Sequence, residues 1–555
     1  MNRLTFLKGV FIALCLFFSG AIIFASGSGQ QGPATPASKP TLQIGIQTNS
    51  WVLDYKDNYL TRYLENLHDI NLEFYNLPAD GGESRTRISL LAVSNALPET
   101  LWGGGMTGAQ ILEYGSNGAL IALNRYFNDP SKTPYFNRIP QDTRNSMLRD
   151  TRSADTNNYA FPQFQPETWN QTPYRLYINR SWLSRLGLQE PKSTDDLRNV
   201  LIAFRDRDPN GNGRRDEIGV FGWFNGGYGE NVIIALINAF LYYNSGSLAL
   251  DATGNTVIAP AVDPAFRRAL QYLNGLFRDG LLDASIFTVD QQTFRSVLNA
   301  VPMVVGLTSM GSVGNFPGNP TTDDNANYMA MAPIMPPLSS PNSPGYTPYS
   351  EYGSPSTTFI TNKARNVDLA VKVMDSFYEP TLSIITRFGE ENVDWTRDPA
   401  TLARHSNAYV YLGLYPGLTL LQLRDVWTMQ HSKHWQNVTP RYAPLDIGNT
   451  FGSALNPFDP NRPSTLHNAV NYQYLIPRHP QYLLPSLIYT AAEAPTLGGI
   501  TTTINTYVNQ SIAEFVTSAR DINNDAVWNA YLRELDNMGL QNWLRLAQTA
   551  FNRQR

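Results

Sequence analysis

The chain has 555 residues, 42% hydrophobic and 16% charged, with a formal net charge of −4. That balance excludes the basic face that nucleic-acid binding requires, and the length allows two or more domains with ample cores. Aromatic residues make up 12%, with 29 Tyr, a profile suited to an exported protein with broad aromatic surfaces, of which carbohydrate handling is one common use.

Residues 1–25 read as an export signal. Arg3 and Lys8 precede an apolar run at 10–25 that is short for a membrane span and ends at the small residue Ala25. The only cysteine, Cys15, lies inside that run, with Leu14 where a lipidation box needs a small residue. Cleavage after Ala25, or retention of the segment as an anchor, is expected rather than lipidation. Residues 26–40 are a Gly/Ser/Pro/Ala tether.

Residues 41–46 alternate and predict a strand, 58–67 a helix, 70–76 a strand, 86–96 a helix and 97–102 a third strand. This β-α-β-α-β order implies a parallel sheet with its ligand at the carboxyl strand ends, where Trp51 and Trp102 fall. Gly103, Gly105 and Gly108 match G-x-G-x-x-G, but the first βα turn lacks the pattern, so a tight turn against a neighbouring lobe is the better reading. Short helices are predicted at 181–188 and 194–204, longer ones at 264–279 and 291–298, and a buried strand at 301–306. After a Pro/Ser/Gly/Tyr loop at 336–355 come a strand at 357–361 and a helix at 366–378. Residues 440–490 are Pro-rich and yield no clear element, and closing helices are expected at 500–515, 525–537 and 543–551.

The densest chemistry lies at 204–217, FRDRDPNGNGRRDE. Hard cations want several oxygens from a sharply turning loop, and glycine permits the turn. Two EF-hand-type registers fit. One starts at Asp206 and uses Asp208, Asn210, Gly211 and Glu217. The other starts at Asp208 and uses Asn210, Asn212, the Arg214 carbonyl, Asp216 and Glu217. The plain alternative is a solvated Asx/Gly turn. His431 and His434 stand at i, i+3, but no further Cys or His completes a zinc set. No H-E-x-x-H, Walker A or G-x-S-x-G motif occurs.

Around that loop, YAFP (159–162), YRLYINRSWLSRLGL (174–188), PKSTDDL (191–197) and EIGVFGW (217–223) follow in order. The set resembles the family 1 extracellular solute-binding proteins of bacterial ABC importers, in particular the large lipoprotein-type and alginate-oligosaccharide-type members. The likeness extends more weakly from about residue 40 to the C-terminus. It implies a two-lobed, type II periplasmic-binding-protein-like α/β fold with a ligand cleft and hinge crossovers, and a structural calcium in the second register. It also implies a division into lobe 1 (41–155), lobe 2 (156–298), a return to lobe 1 (299–362) and a mainly helical remainder of lobe 2 (363–555).

The expected function is capture of a carbohydrate, without catalysis, for delivery to importer permease subunits by a monomeric protein in the periplasm or outside the cell. A secreted glycan hydrolase or lyase, or an adhesion protein on the same fold, are the alternatives. Indole and phenol rings offer flat apolar faces to a pyranose, and polar neighbours satisfy its hydroxyls. Trp51, Trp102, Tyr159, Trp223, Tyr228, Tyr352 and Trp427 are the candidate rings, although core packing competes for each. Arg175, Asn225 and Glu351 are the candidate polar partners.

Overall fold

In a computed structural model of the chain, residues 39–164, 171–226, 228–244, 248–311, 331–334, 337–348, 356–398, 400, 410–413, 419–422, 426, 430–442, 445–446, 469–490 and 492–555 are described. The export segment, most of the tether, Glu351, Tyr352 and Trp427 lie outside them.

The first sheet grows from β1 (Thr41–Gln47), β2 (Asn71–Leu77) and β3 (Thr100–Trp102). β1 pairs parallel with both β2 and β3, as the alternating helices between them require. β11 (Ser356–Ile360) adds antiparallel to β3, β4 (Ala160–Phe164) antiparallel to β11, and β15 (Arg441–Tyr442) parallel to β4. The helix Tyr59–His68 starts where the Asn58 side chain accepts the Leu60 N–H and ends at Asp69 in the left-handed conformation. Its Leu60 and Leu64 enter a core with Ile44, Ile46, Trp102, Phe377 and Trp435.

The second sheet has the order β10 (Met331–Pro333), β5 (Arg175–Asn179), β9 (Val305–Met310), β6 (Ile218–Val220). It carries a separate core, in which Phe204, Val220 and Leu307 meet Phe266 and Leu273 of helix Pro264–Arg278. Ile512, Phe515, Trp528 and Tyr531 of the C-terminal helices complete it. Those helices run Ala494–Val516, Asp525–Asn537 and Leu540–Gln554. A two-strand hairpin, β7 (Ala249–Leu250) and β8 (Val257–Ile258), lies against the last of them: the Val257 N–H donates to Gln548 Oε1 at 2.8 Å. β12 (Trp395–Thr396), β13 (Val410–Gly413), β14 (Thr419–Gln422) and β16 (Leu445–Asp446) form a small third sheet.

Two expected assignments are corrected. The strand expected at 301–306 and in lobe 1 falls at Val305–Met310, as β9, which pairs with β5 and β6 in the second sheet; among the described residues the chain rejoins the first sheet at β11. Residues 363–442 were placed in lobe 2. Yet helices Val367–Ser376 and Pro380–Phe388, with Trp395, Trp435 and Tyr442, build the first core. An apolar helix stripe says that a face is buried, not which sheet buries it.

Candidate functional site at the lobe boundary and the acidic loop

The helix Thr194–Asp206 begins with a reciprocal capping box between Ser193 and Asp196 and delivers the chain into the acidic loop. Asp208, Gly211 and Gly213 turn through left-handed conformations, φ 41°, 73° and 73°. Asp208 Oδ1 accepts the Gly211 and Asn212 N–H groups at 3.0 and 3.2 Å, and Oδ2 accepts that of Gly213 at 2.9 Å. The Asn210 and Asn212 amides both donate to Asp216, at 2.9 Å, and hold its carboxyl below the usual range. Asp206 turns outward to Arg205, 2.7 Å away, which takes it out of the first register.

Glu217 is different. Both its carboxylate oxygens are buried without a well-formed hydrogen bond. Burial first, then the neighbouring charges of Asp208 and Asp216, push its pKa up. A buried carboxylate facing two others wants a cation. The oxygens of Asp208, Asn210, Asn212, Asp216, Glu217 and the Arg214 carbonyl are the hard donors calcium takes. They do not form a ready-made cluster: among the described residues, no three His, Cys, Asp or Glu side chains converge on one metal position.

The structure sorts the candidate rings. Trp102 is fully buried, edge-on to Trp435 at 5.4 Å and close to Phe377 at 5.2 Å, with its indole N–H donated to Thr100 Oγ1 at 2.9 Å. Its assignment to the cleft is corrected: it stands in a ring stack beneath β3. Tyr159 is also core. Its ring fills the space left by Gly115, where a Cβ would approach to 2.2 Å, and its hydroxyl donates to Asp155. The glycine turn at 103–105, expected against a neighbouring lobe, packs instead on its own, where the Gly104 N–H donates to Gln47 Oε1 and Ile88 lies 2.5 Å from the site of a Cβ.

Arg175, expected to meet ligand, is 1% exposed. Its guanidinium donates to Asn471 Oδ1 at 2.7 Å, to Thr172 Oγ1 at 3.1 Å and to the Gly311 carbonyl. Burial pulls its pKa down, while the Tyr228 and Tyr177 hydroxyls hold it up. Tyr228, half-buried, lays its ring over Gly311. Arg175 thus fastens the segment entering β5 to the end of β9 and to the chain that later leads to the C-terminal helices. It is a joint between crossovers, not a cleft group.

Trp51 and Trp223 remain half-exposed. Trp223 leans on Phe294 of helix Gln291–Leu298, with ring centres 6.5 Å apart, and Asn225 is exposed in the turn beside it. Trp51 reaches the same helix from the first lobe, where the Arg295 guanidinium lies 5.8 Å from its ring. Its loop is strapped by His431: the Leu53 N–H donates to the His431 carbonyl at 2.9 Å, and the His431 N–H to the Trp51 carbonyl at 2.8 Å. Gln430 adds a bond to the Ser50 carbonyl. The two histidines therefore buttress the rim. Their rings are 4.4 Å apart, and His431 is engaged by Lys433 N–H and Gln436. Arg295 escaped the sequence reading because nothing local marks it; only the pairing of distant segments does.

The fold, two α/β lobes joined by crossovers, is that of the solute-binding proteins of ABC transporters. The chain is a homologue of the fructooligosaccharide ABC transporter substrate-binding protein FusA of Streptococcus pneumoniae, at 22% identity over 504 residues, covering 90% of this chain and 87% of FusA. FusA in complex with kestose superposes with a TM-score of 0.75 at 21% identity, covering 92% of this chain and 99% of that one. An EF-hand mutant of FusA superposes with a TM-score of 0.74. A solute-binding protein from Bifidobacterium longum infantis that binds human-milk oligosaccharides gives 0.72 at 17% identity, covering 93% of this chain and 99% of that one. The alginate-binding protein AlgQ2 without calcium gives 0.68 at 18% identity, covering 93% and 98%. No family model matches. Among the described residues no helix is long and apolar enough to cross a membrane.

Proposed function

We propose that this protein is exported, captures an oligosaccharide between its lobes as a monomer and delivers it to the permease subunits of an ABC importer, without altering it. One observation carries the reading: Trp51 from the first lobe and Trp223 from the second reach the same helix, Gln291–Leu298, in a fold shared over 92% of this chain with a protein seen in complex with kestose. Aromatic faces supplied by both lobes suit a sugar ring held on closure. Asn225 stands beside Trp223 as a polar partner, and Glu351, Tyr352 and Trp427 remain candidates for the same cleft. The acidic loop binds one calcium through Asp208, Asn210, Asn212, Asp216, Glu217 and the Arg214 carbonyl, bracing the second lobe. The buried Glu217 carboxylate, which has no well-formed hydrogen bond, supports this, as does the EF-hand of FusA.

Calorimetric titration with kestose, a neutral human-milk tetrasaccharide and a uronic-acid trimer tests the binding. Mass spectrometry of each mixture after prolonged incubation tests the absence of chemistry. Saturable binding of at least one sugar, recovered intact, is expected. Cleavage of a bound sugar would establish an enzyme instead, and no binding across the panel overturns the carbohydrate reading.

A further inference from the structure

Arg295 sits on the second-lobe helix whose Phe294 and Leu298 enter the second core. Its guanidinium comes within 5.8 Å of Trp51, a first-lobe residue. Its Nε is buried without a hydrogen-bond partner, and among the described residues no carboxylate pairs with it. A guanidinium carries five donors in a rigid fork, and leaving such donors dry and unmade is costly. Arg175, by contrast, spends its buried guanidinium on Asn471 and Thr172. The remaining contact of Arg295, with an indole face at 5.8 Å, is a loose cation–π approach that uses none of those donors.

The half-exposed ring of Trp51 and the exposed Leu53 beside it leave this point open to solvent on the first-lobe side. A group entering there meets an aromatic face from one lobe and an unspent donor fork from the other. We propose that Arg295 is a ligand-binding, specificity-determining residue: its guanidinium grips two adjacent oxygens of one sugar unit, a carboxylate or a vicinal diol, while Trp51 packs against the same unit. The inference rests on the carbohydrate reading above and adds to it the residue and the oxygen pattern recognised. Because the two groups belong to different lobes, the sugar unit spans the boundary, and its binding favours the closed arrangement.

The test is titration calorimetry of the wild-type protein, Arg295→Gln and Arg295→Lys against kestose, a neutral human-milk tetrasaccharide and a uronic-acid trimer, with melting curves of each variant. Arg295→Gln is expected to weaken binding about 10- to 100-fold, the scale of charge-assisted hydrogen bonds. Arg295→Lys, which keeps the charge but loses the fork, recovers only part of it. Melting temperature should hold, since no protein hydrogen bond is lost. A loss confined to the uronate trimer identifies a carboxylate; an equal loss on a neutral sugar identifies a diol. Unchanged affinity in Arg295→Gln beside clear wild-type binding overturns the subsite and leaves the carbohydrate reading standing. If the wild-type protein binds no sugar in the panel, both fall.

Discussion

The acidic loop and the aromatic rim are both clusters of candidate functional side chains, but they are assembled differently. The loop gathers its oxygens within ten residues, from Asp208 to Glu217, and holds them by local Asx turns and two left-handed glycines. The rim joins Trp51, Arg295, Trp223 and a strap at His431, from segments hundreds of residues apart. Local assembly leaves a spacing that can be read from one sequence. Assembly across lobes leaves none, so identical residue types there divide between solvent-reached and core positions without warning. Trp51 and Trp102 show this: both follow or end strands of one sheet, yet one is half-exposed and the other wholly buried.

The strongest way to break that contrast is to truncate both tryptophans. Trp102→Ala removes the centre of a ring cluster with Trp435 and Phe377 and the indole N–H bond to Thr100 Oγ1. It should cost about 3–5 kcal/mol of stability in chemical denaturation. Trp51→Ala should leave the denaturation midpoint nearly unchanged and instead weaken sugar binding by roughly 1–2 kcal/mol, or about 5- to 30-fold. Equal destabilisation by both substitutions would place Trp51 in the core as well.

The loop side of the comparison is sharpened by metal. If calcium binds only the folded state, calcium at about a hundred times its dissociation constant adds about 2.7 kcal/mol. EDTA should therefore lower the melting temperature, and Glu217→Gln should shrink the difference while leaving the EDTA curve close to wild type. A melting curve indifferent to EDTA would remove calcium from the account.

Much of the fold was legible. Predicted helices at 194–204, 264–279, 291–298 and 525–537 correspond to Thr194–Asp206, Pro264–Arg278, Gln291–Leu298 and Asp525–Asn537. Their caps and apolar periods are local signals. The partition of 363–442 was not legible, because Ala370, Val371 and Met374 would bury equally well under either sheet. Nor was Arg175, whose polar type suggested ligand and whose real partners, Asn471 and Thr172, serve the crossovers.

The smallest expected effect concerns pH. Burial lowers His68, with help from Lys372, and His431, with help from Lys433, to about 4; burial alone does the same for His479. For a histidine whose folded pKa lies below its unfolded value near 6.5, stability is fully present above 6.5 and is lost as pH falls toward 4. Asp375 works the other way. Burial raises it to about 6 against the Tyr135 and Phe136 N–H groups, so its contribution is complete below about 4 and is lost as pH rises through 6. His434, fully buried, is lowered further still, by burial first and then by the neighbouring His431, Arg441 and Arg387. Four histidines thus oppose Asp375, and three of the four are partly solvated, so the net effect is modest. The melting temperature should drop by on the order of a few degrees between pH 7 and pH 5. His68 is the cleanest to remove, since its ring makes one side-chain bond, to Ser376 at 3.0 Å. His68→Gln should reduce the drop, and Asp375→Asn should enlarge it by deleting the opposing group. A melting temperature flat from pH 7 to 5 in both variants and the wild type would mean these histidines titrate as they do in the unfolded chain. The strap beneath Trp51, which includes His431, would then hold no proton-sensitive group, and acidification would leave the rim as it stands at neutral pH.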